Sequence, residues 1–341
     1  MRKPVVLITG ASGEMGHGLI DALSKDDERD VVALDLNPLA PELSAKCTAT
    51  VVGDITDSAL LSRLSAKYEI HAIYHLAALL STRAEYTPLA AHRVNVDGTM
   101  GLLELASAQS RQHGNRVRFL FPSSIAVFGL PDLQTKTSHR PLREFEWNKP
   151  TTMYGCNKLY CEQLGRYYTV HYRQLDSARQ SSGVDFRSIR FPGLISAETL
   201  PSGGTSDYAP EMLHAAASGK ACACFVQPDA QIPFMAMTDA IRALVMLERA
   251  DESRLTQRVY NINAFSLSAT QLREVILESF PDAEITFNRD PARAAIVDTW
   301  PAEVDDSRAR ADWDWSPLYD ETTAFSQHLV PLISARYTDT A

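Results

Sequence analysis

Tyr154 and Lys158 stand four residues apart, with Ser123 and Ser124 about thirty residues upstream. On a helix that spacing puts the phenol and the ammonium on one face. A neighbouring ammonium favours phenolate and lowers a pKa that is about 10 when unperturbed. A phenol so tuned can exchange a proton with a substrate hydroxyl near neutral pH. The hydroxyl of Ser124 can hydrogen-bond the reacting oxygen. Gly10, Gly13 and Gly16 near the start of the chain complete the pattern. A glycine turn followed by a helix cradles a pyrophosphate on free N–H groups and the positive end of the helix dipole. In this order, the three features predict a nicotinamide-linked alcohol oxidoreductase or an epimerase.

The glycine turn reads Gly10-Ala11-Ser12-Gly13-Glu14-Met15-Gly16, a G-x2-G-x2-G spacing rather than G-x-G-x2-G. Gly10 is expected to make the tight turn, Gly13 to let backbone approach the phosphates and Gly16 to let the helix pack on the sheet. Ser12, Glu14 and Met15 lie in the same cofactor-binding turn. Asp35 follows about twenty residues later, where a carboxylate accepts hydrogen bonds from the adenosine ribose and repels a 2′-phosphate. NAD is therefore expected over NADP. Asp54 and Ile55 are placed beside the adenine, and Leu76, Ala77 and Ala78 along the cofactor.

These residues need a scaffold that brings strand ends together. Short apolar runs at Val5–Ile8, Val31–Asp35, Thr50–Asp54, His71–Leu76, Val117–Phe121 and Asp185–Arg190 read as strands buried on both faces. Helical patterns lie between them, at Met15–Leu23, Ser58–Lys67, Pro88–Gln112 and Thr151–Arg173. Strand alternating with helix predicts an α/β fold, a doubly wound parallel sheet (Rossmann fold). Ser124 would then stand at the carboxyl edge of the sheet, where ligands bind in such folds. Residues 130–150 read as a long loop. Beyond residue 190, separate helices at Asp207–Ser218, Thr238–Ala250, Ser268–Ser279 and Glu321–Ser334 indicate a smaller lobe. The expected division is 1–190 for cofactor and 191–341 mainly for substrate, some segments of the latter returning to the first domain.

The chain has 341 residues, enough for a substantial core, and 45% hydrophobic residues. Lys and Arg total 33 against 42 Asp and Glu, a net charge of −9. Nothing in this balance favours nucleic acid or an anionic membrane. Cys47, Cys156, Cys161, Cys222 and Cys224 are too scattered for a disulfide framework, and no zinc-spaced partner pair accompanies Cys222 and Cys224. No metal is expected, and the compartment reads as reducing and cytoplasmic. The strand-like run from Val5 leaves no room for a signal peptide, and no apolar run approaches the ~20 residues of a membrane span.

At this point the chain resembles the extended short-chain dehydrogenase/reductase (NAD-dependent epimerase/dehydratase) family. The matching pieces are TGASGEMG at Thr9–Gly16, HLAA at His75–Ala78, PSSIAVFG at Pro122–Gly129 and YGCNK at Tyr154–Lys158. The resemblance implies Tyr154 as acid/base, Lys158 on the nicotinamide ribose and Ser124, rather than Ser123, polarising the substrate. Further segments are similar to the short-chain type L-threonine 3-dehydrogenases: LLS at Leu79–Ser81, FPGLISA at Phe191–Ala197, GGTSDYA at Gly203–Ala209, YNINAFSLS at Tyr260–Ser268 and the stretch Asp298–Trp315. That likeness implies oxidation of L-threonine with NAD to 2-amino-3-oxobutyrate and NADH. It implies Ser81, Thr205, Ser206 and Trp300 in the substrate pocket, Gly193 and Leu194 near the nicotinamide, and a homodimer. Asp207 is read as a helix cap. The chain departs from the pattern at Ser206, at Phe234–Met237 and in the longer stretches 132–150 and 173–182. A nucleotide-sugar 4-epimerase or dehydratase, a dehydrogenase of another 3-hydroxy amino acid or 3-hydroxy acid, and a non-catalytic NAD-sensing protein stay open as alternatives.

Overall fold

The structure, a computed structural model, describes residues 4–25, 29–176, 181–201 and 204–338. Twelve strands run in chain order among them: β1 Pro4–Thr9, β2 Asp30–Asp35, β3 Ala49–Val52, β4 Glu69–His75, β5 Val117–Ser124, β6 Val184–Phe191, β7 Gly193–Ile195, β8 Cys222–Cys224, β9 Gln231–Ala236, β10 Val259–Asn261, β11 Phe265–Ser268 and β12 Ile285–Phe287. The six strands expected from apolar runs are β1 to β6. With β10 they form a seven-stranded sheet in the order β10-β6-β5-β4-β1-β2-β3. The pairs β1/β2, β2/β3, β1/β4 and β4/β5 are parallel. Strand order reverses between β1 and β4, the switch point of a doubly wound fold. Val6, Leu7 and Ile8 are almost fully buried, as strands covered on both faces require.

Contacts group the chain into two compact units. One holds Met1–Ser123, Cys156–Ile189 and Leu244–Val259; the other holds Ser124–Gly155, Arg190–Ala243 and Tyr260–Ala341. The chain thus crosses between them several times, once at 189/190. The second unit contains the three-stranded sheet β11-β9-β7 and the pair β12-β8. Apart from β9 these strands have only three or four residues, which show too little periodicity to be read from sequence.

Two expected helices are interrupted. In place of one helix over Pro88–Gln112 there are helices Pro88–His92 and Gly98–His113, joined by a π-turn at Arg93–Asp97. Side chains widen the ladder there: Thr99 Oγ1 (2.5 Å) and Cys161 Sγ (3.2 Å) both donate to Asn95 O. The Met153–Arg166 helix likewise continues into a π-turn at Tyr167–His171. Residues 130–150, read as loop, contain a helix at Leu133–Ser138, its N-cap Asp132 accepting from Thr135 N. Asp207 does stand before the Tyr208–Ala217 helix but does not cap it with its side chain. Leu102, Leu103 and Leu105 are buried in a core cluster on which Leu164 packs. Gly203, Ser202 and residues 177–180 lie outside the described residues.

Candidate active site

The glycine turn is fixed by backbone sterics. β1 ends at Thr9, and Gly10 has φ +70, which favours glycine. A Cβ on Gly10 would lie 2.6 Å from Ala77 N, and one on Gly16 would lie 2.4 Å from Ala11 O. Gly13 differs. A Cβ there would meet nothing closer than Gly10 O at 3.2 Å, and its backbone is extended. Packing therefore demands this glycine less strictly than the other two, since the Gly10 carbonyl need give only a few tenths of an ångström. Gly13 is the N-cap of the Glu14–Leu23 helix and supplies no side-chain cap. The N–H groups of Glu14 and Met15 thus meet the positive end of the helix dipole. The turn fits a dinucleotide through these amides. The Glu14 side chain adds no support, since its Oε1 is buried without a hydrogen-bond partner.

Asp35 closes β2 and reaches back to the turn. Its carboxylate accepts from Ser12 N (3.0 Å) and Asn37 N (2.9 Å). Two such bonds leave acceptor capacity for ribose hydroxyls. Asp54 is exposed and accepts from Thr56 N (2.8 Å). Ile55 is core, and its side chain fills the space left by Gly98. Leu76, Ala77 and Ala78 follow β4 in half-buried positions, and Leu76 N donates to Thr9 O (3.0 Å).

Sequence reasoning missed the polar network beneath this edge. Thr99 donates to Asn95 O, so it accepts from His75 Nε2 (2.9 Å). His75 Nδ1 then accepts from Thr9 Oγ1 (2.8 Å), which itself accepts from Ala77 N (3.4 Å). The network assigns the tautomer. Burial pushes the His75 pKa down to about 3, aided by the charge of Lys158. Asn95 holds Leu79 by both backbone groups (2.8 and 3.0 Å) and donates to Asn157 Oδ1 (3.3 Å). This ties the turn before Ser81 to the helix carrying Lys158. Ser81 opens the Ser81–Tyr86 helix, with Leu80 at the N-cap. The readable signal was polar residues on otherwise buried helix faces.

The two adjacent serines have different jobs. Ser123 Oγ donates to the buried carboxylate of Glu162 (2.5 Å) and belongs to the framework. Ser124 Oγ accepts from Ala126 N (3.1 Å), which leaves its own proton to donate. A Cβ on Gly155 would lie 2.1 Å from Ala126 O. The residue after Tyr154 is therefore pressed onto the turn that follows Ser124. Lys158, on the same helix as Tyr154, is buried. Its Nζ donates to Pro122 O (2.6 Å) and lies 4.4 Å from the Phe121 ring centre. Desolvation brings Lys158 down to about 8, with nearby Cys161 and Glu162 acting against the shift. Burial raises the Tyr154 phenol above its ordinary value, so the lowering expected from sequence is not produced by the protein alone.

In the second unit, Thr205 is buried and Ser206 half-buried, in a turn closed by Gly204 N donating to Asp207 Oδ2 (2.6 Å). Arg293, which sequence reasoning missed, donates to Gly204 O (2.9 Å) and to Glu211 (3.2 Å). Gly193 pairs with Phe234 across β7 and β9, and a Cβ there would meet the Phe234 ring at 2.6 Å. Leu194 is half-buried. Trp300 is 4% exposed, and its Nε1 is buried without a partner. Among the described residues no group of His, Cys, Asp and Glu could hold a metal ion.

Residues 6–263 match the NAD dependent epimerase/dehydratase family. The mitochondrial L-threonine 3-dehydrogenase of Bos taurus is 35% identical over 316 residues, 92% of this chain and 79% of that protein. A monomeric L-threonine 3-dehydrogenase from a metagenome, solved in its apo form, superposes with a TM-score of 0.84 at 32% identity, covering 98% of this chain and 100% of that one. The GalE-like L-threonine dehydrogenase of Cupriavidus necator in its holo form gives 0.81 at 33% identity, over 99% and 100% of the two chains. The chain belongs to the NAD dependent epimerase/dehydratase family.

Proposed function

We propose that this chain oxidises the 3-hydroxyl of L-threonine with NAD, giving 2-amino-3-oxobutyrate, NADH and a proton. The geometry that carries the reading is the helix start at Tyr154, pressed through Gly155 onto the turn after Ser124, with Lys158 pinned further along the same helix. Bound NAD supplies the hydride acceptor at Cβ and, when oxidised, a positive charge. Tyr154 takes the hydroxyl proton as phenolate. Ser124 donates to the same oxygen and holds it in line. Lys158, buried beneath the sheet edge, binds the ribose and favours the phenolate. The N–H groups at Glu14 and Met15 hold the pyrophosphate, and Asp35 the adenosine ribose, which favours NAD over NADP. Ser81, Thr205, Ser206 and Trp300 bind the amino acid, with Gly193 and Leu194 beside the nicotinamide. Residues 1–190 thus serve mainly the cofactor and residues 191–341 mainly the substrate.

We further propose a homodimer. The outer faces of the Gly98–His113 and Met153–Arg166 helices carry exposed Met100 and Tyr160, and sedimentation velocity distinguishes dimer from monomer. A cytoplasmic location is supported by five free cysteines and is tested by fractionation of the source cells. No helix among the described residues is long and apolar enough to cross a membrane.

The deciding experiment is NADH formation from NAD with L-threonine beside L-allo-threonine, L-serine and 3-hydroxybutyrate. Strong preference for L-threonine is expected. Turnover of none of them, with NAD retained by the purified protein, would replace this reading by epimerase chemistry.

A further inference from the structure

The segment 130–151 does more than connect β5 to the Tyr154 helix. Near its middle Lys136 is 4% exposed, in a short helix otherwise polar and largely exposed. Burying an ammonium is costly unless something holds it. Its Nζ donates to Val297 O (2.9 Å), the same carbonyl that accepts from Trp300 N (3.1 Å). That carbonyl lies at the C-terminal end of the Pro291–Asp298 helix, where the dipole favours a cation. Leu130 N donates to Thr299 O (2.8 Å), and Thr151 Oγ1 meets Thr299 Oγ1 (3.1 Å). Further on, Leu142 N donates to Glu303 O (3.1 Å), and Asp305 N donates to Leu142 O (2.8 Å). The residues on both sides of Trp300 are therefore grasped by one segment more than a hundred positions earlier in the chain.

We propose that the 130–151 segment, through Lys136 at Val297 and Thr151 at Thr299, positions the Trp300 indole for L-threonine and so sets affinity for the amino acid. Lys136 and Thr151 touch no substrate and act through Trp300. The inference rests on the assignment of Trp300 to the substrate pocket. Trp300 suits such dependence, because its buried indole N–H has no protein acceptor and one ring orientation must serve the ligand.

The test is a double-mutant cycle of Lys136→Met with Trp300→Phe, read as separate KM and kcat values for L-threonine and NAD. Lys136→Met is expected to raise the threonine KM about tenfold, the scale of one buried hydrogen bond to a charged group, with the NAD KM within about twofold. In the Trp300→Phe background the same change should add little. A threonine KM left unchanged in folded Lys136→Met, an equal rise in both KM values, or full additivity overturns the inference. Trp300→Phe without effect on the threonine KM overturns the assignment of Trp300 itself, and the inference with it. Should Lys136→Met fail to fold, Thr151→Val decides, since Thr151 is exposed and its loss spares the core. It should raise the threonine KM about threefold with the NAD KM unmoved, and no rise overturns the proposal.

Discussion

The Gly10–Gly16 turn and the Gly204–Trp300 region of the second unit both carry residues proposed to bind a ligand, but they are held in opposite ways. In the first, neighbours in sequence and the end of β4 leave room only for glycine at Gly10 and Gly16, with ångström-scale sterics against backbone atoms. In the second, distant side chains do the holding: Arg293 on Gly204 O and Lys136 on Val297 O. A loop fixed by its own backbone should answer to added atoms. A loop fixed by remote donors should answer to their removal, and its effects should fall on substrate rather than cofactor.

The largest effect expected lies in neither loop. Tyr154→Phe deletes the proposed proton acceptor while keeping the ring, and threonine oxidation should fall by about 10²–10⁴-fold. NADH titrated by fluorescence should still bind, because the turn at Gly13 is untouched. Loss of both functions together would mean that the Tyr154 hydroxyl serves the fold as much as the reaction.

Gly10→Ala and Gly13→Ala sharpen the contrast within one turn. The first combines a left-handed φ with a Cβ 2.6 Å from a backbone nitrogen. It should cost about 3 kcal/mol or prevent folding. The second should leave thermal stability nearly unchanged while weakening NAD about tenfold, the effect of crowding a phosphate rather than the protein. Equal stability losses in calorimetry would show that packing, not a ligand, accounts for Gly13.

The difference in construction also explains what could be read from the chain. β1 to β6 were legible because buried parallel strands need continuous apolar runs, and Gly10 and Gly16 because backbone space admits little else. Ser124 and Ser123 could be told apart by motif, and the bonds to Ala126 and Glu162 give that choice a physical basis. The π-turn at Arg93–Asp97 was not legible, because it arises from Thr99 and Cys161 converging on one carbonyl. The roles of Arg293 and Lys136 depend on partners 89 and 161 positions away. The upward push on Tyr154 was missed because spacing on a helix reports the neighbouring charge but not the burial around it.

Acid should find a weakness in the first unit. The folded His75 pKa of about 3 lies below its ordinary value, so the unfolded chain binds this proton first as pH falls. Stability is therefore lost as pH drops from about 6.5 toward 3, by up to ~1.4 kcal/mol per pH unit from this group. His75→Gln should be less stable at neutral pH yet show a shallower decline over that window in urea melts. Parallel declines would mean that burial does not hold His75 neutral in the folded chain.

The smallest effect expected is the most direct check on remote control. Arg293→Met keeps a long side chain over the Phe225 ring but removes the donors to Gly204 O and Glu211. The ion pair with Glu211 is half-exposed and contributes little by itself. What remains is the bond to Gly204 O, which braces from outside the turn holding Thr205 and Ser206. Its loss should raise the threonine KM about threefold to tenfold, leaving NAD affinity and thermal stability almost unchanged. A fall in NAD affinity would break the comparison, because Arg293 would then be felt in the cofactor turn that backbone sterics should hold alone. A fall in stability without change in KM would place the arginine with the packing of the second unit, and leave the Gly204–Asp207 turn to be set by its own internal bond.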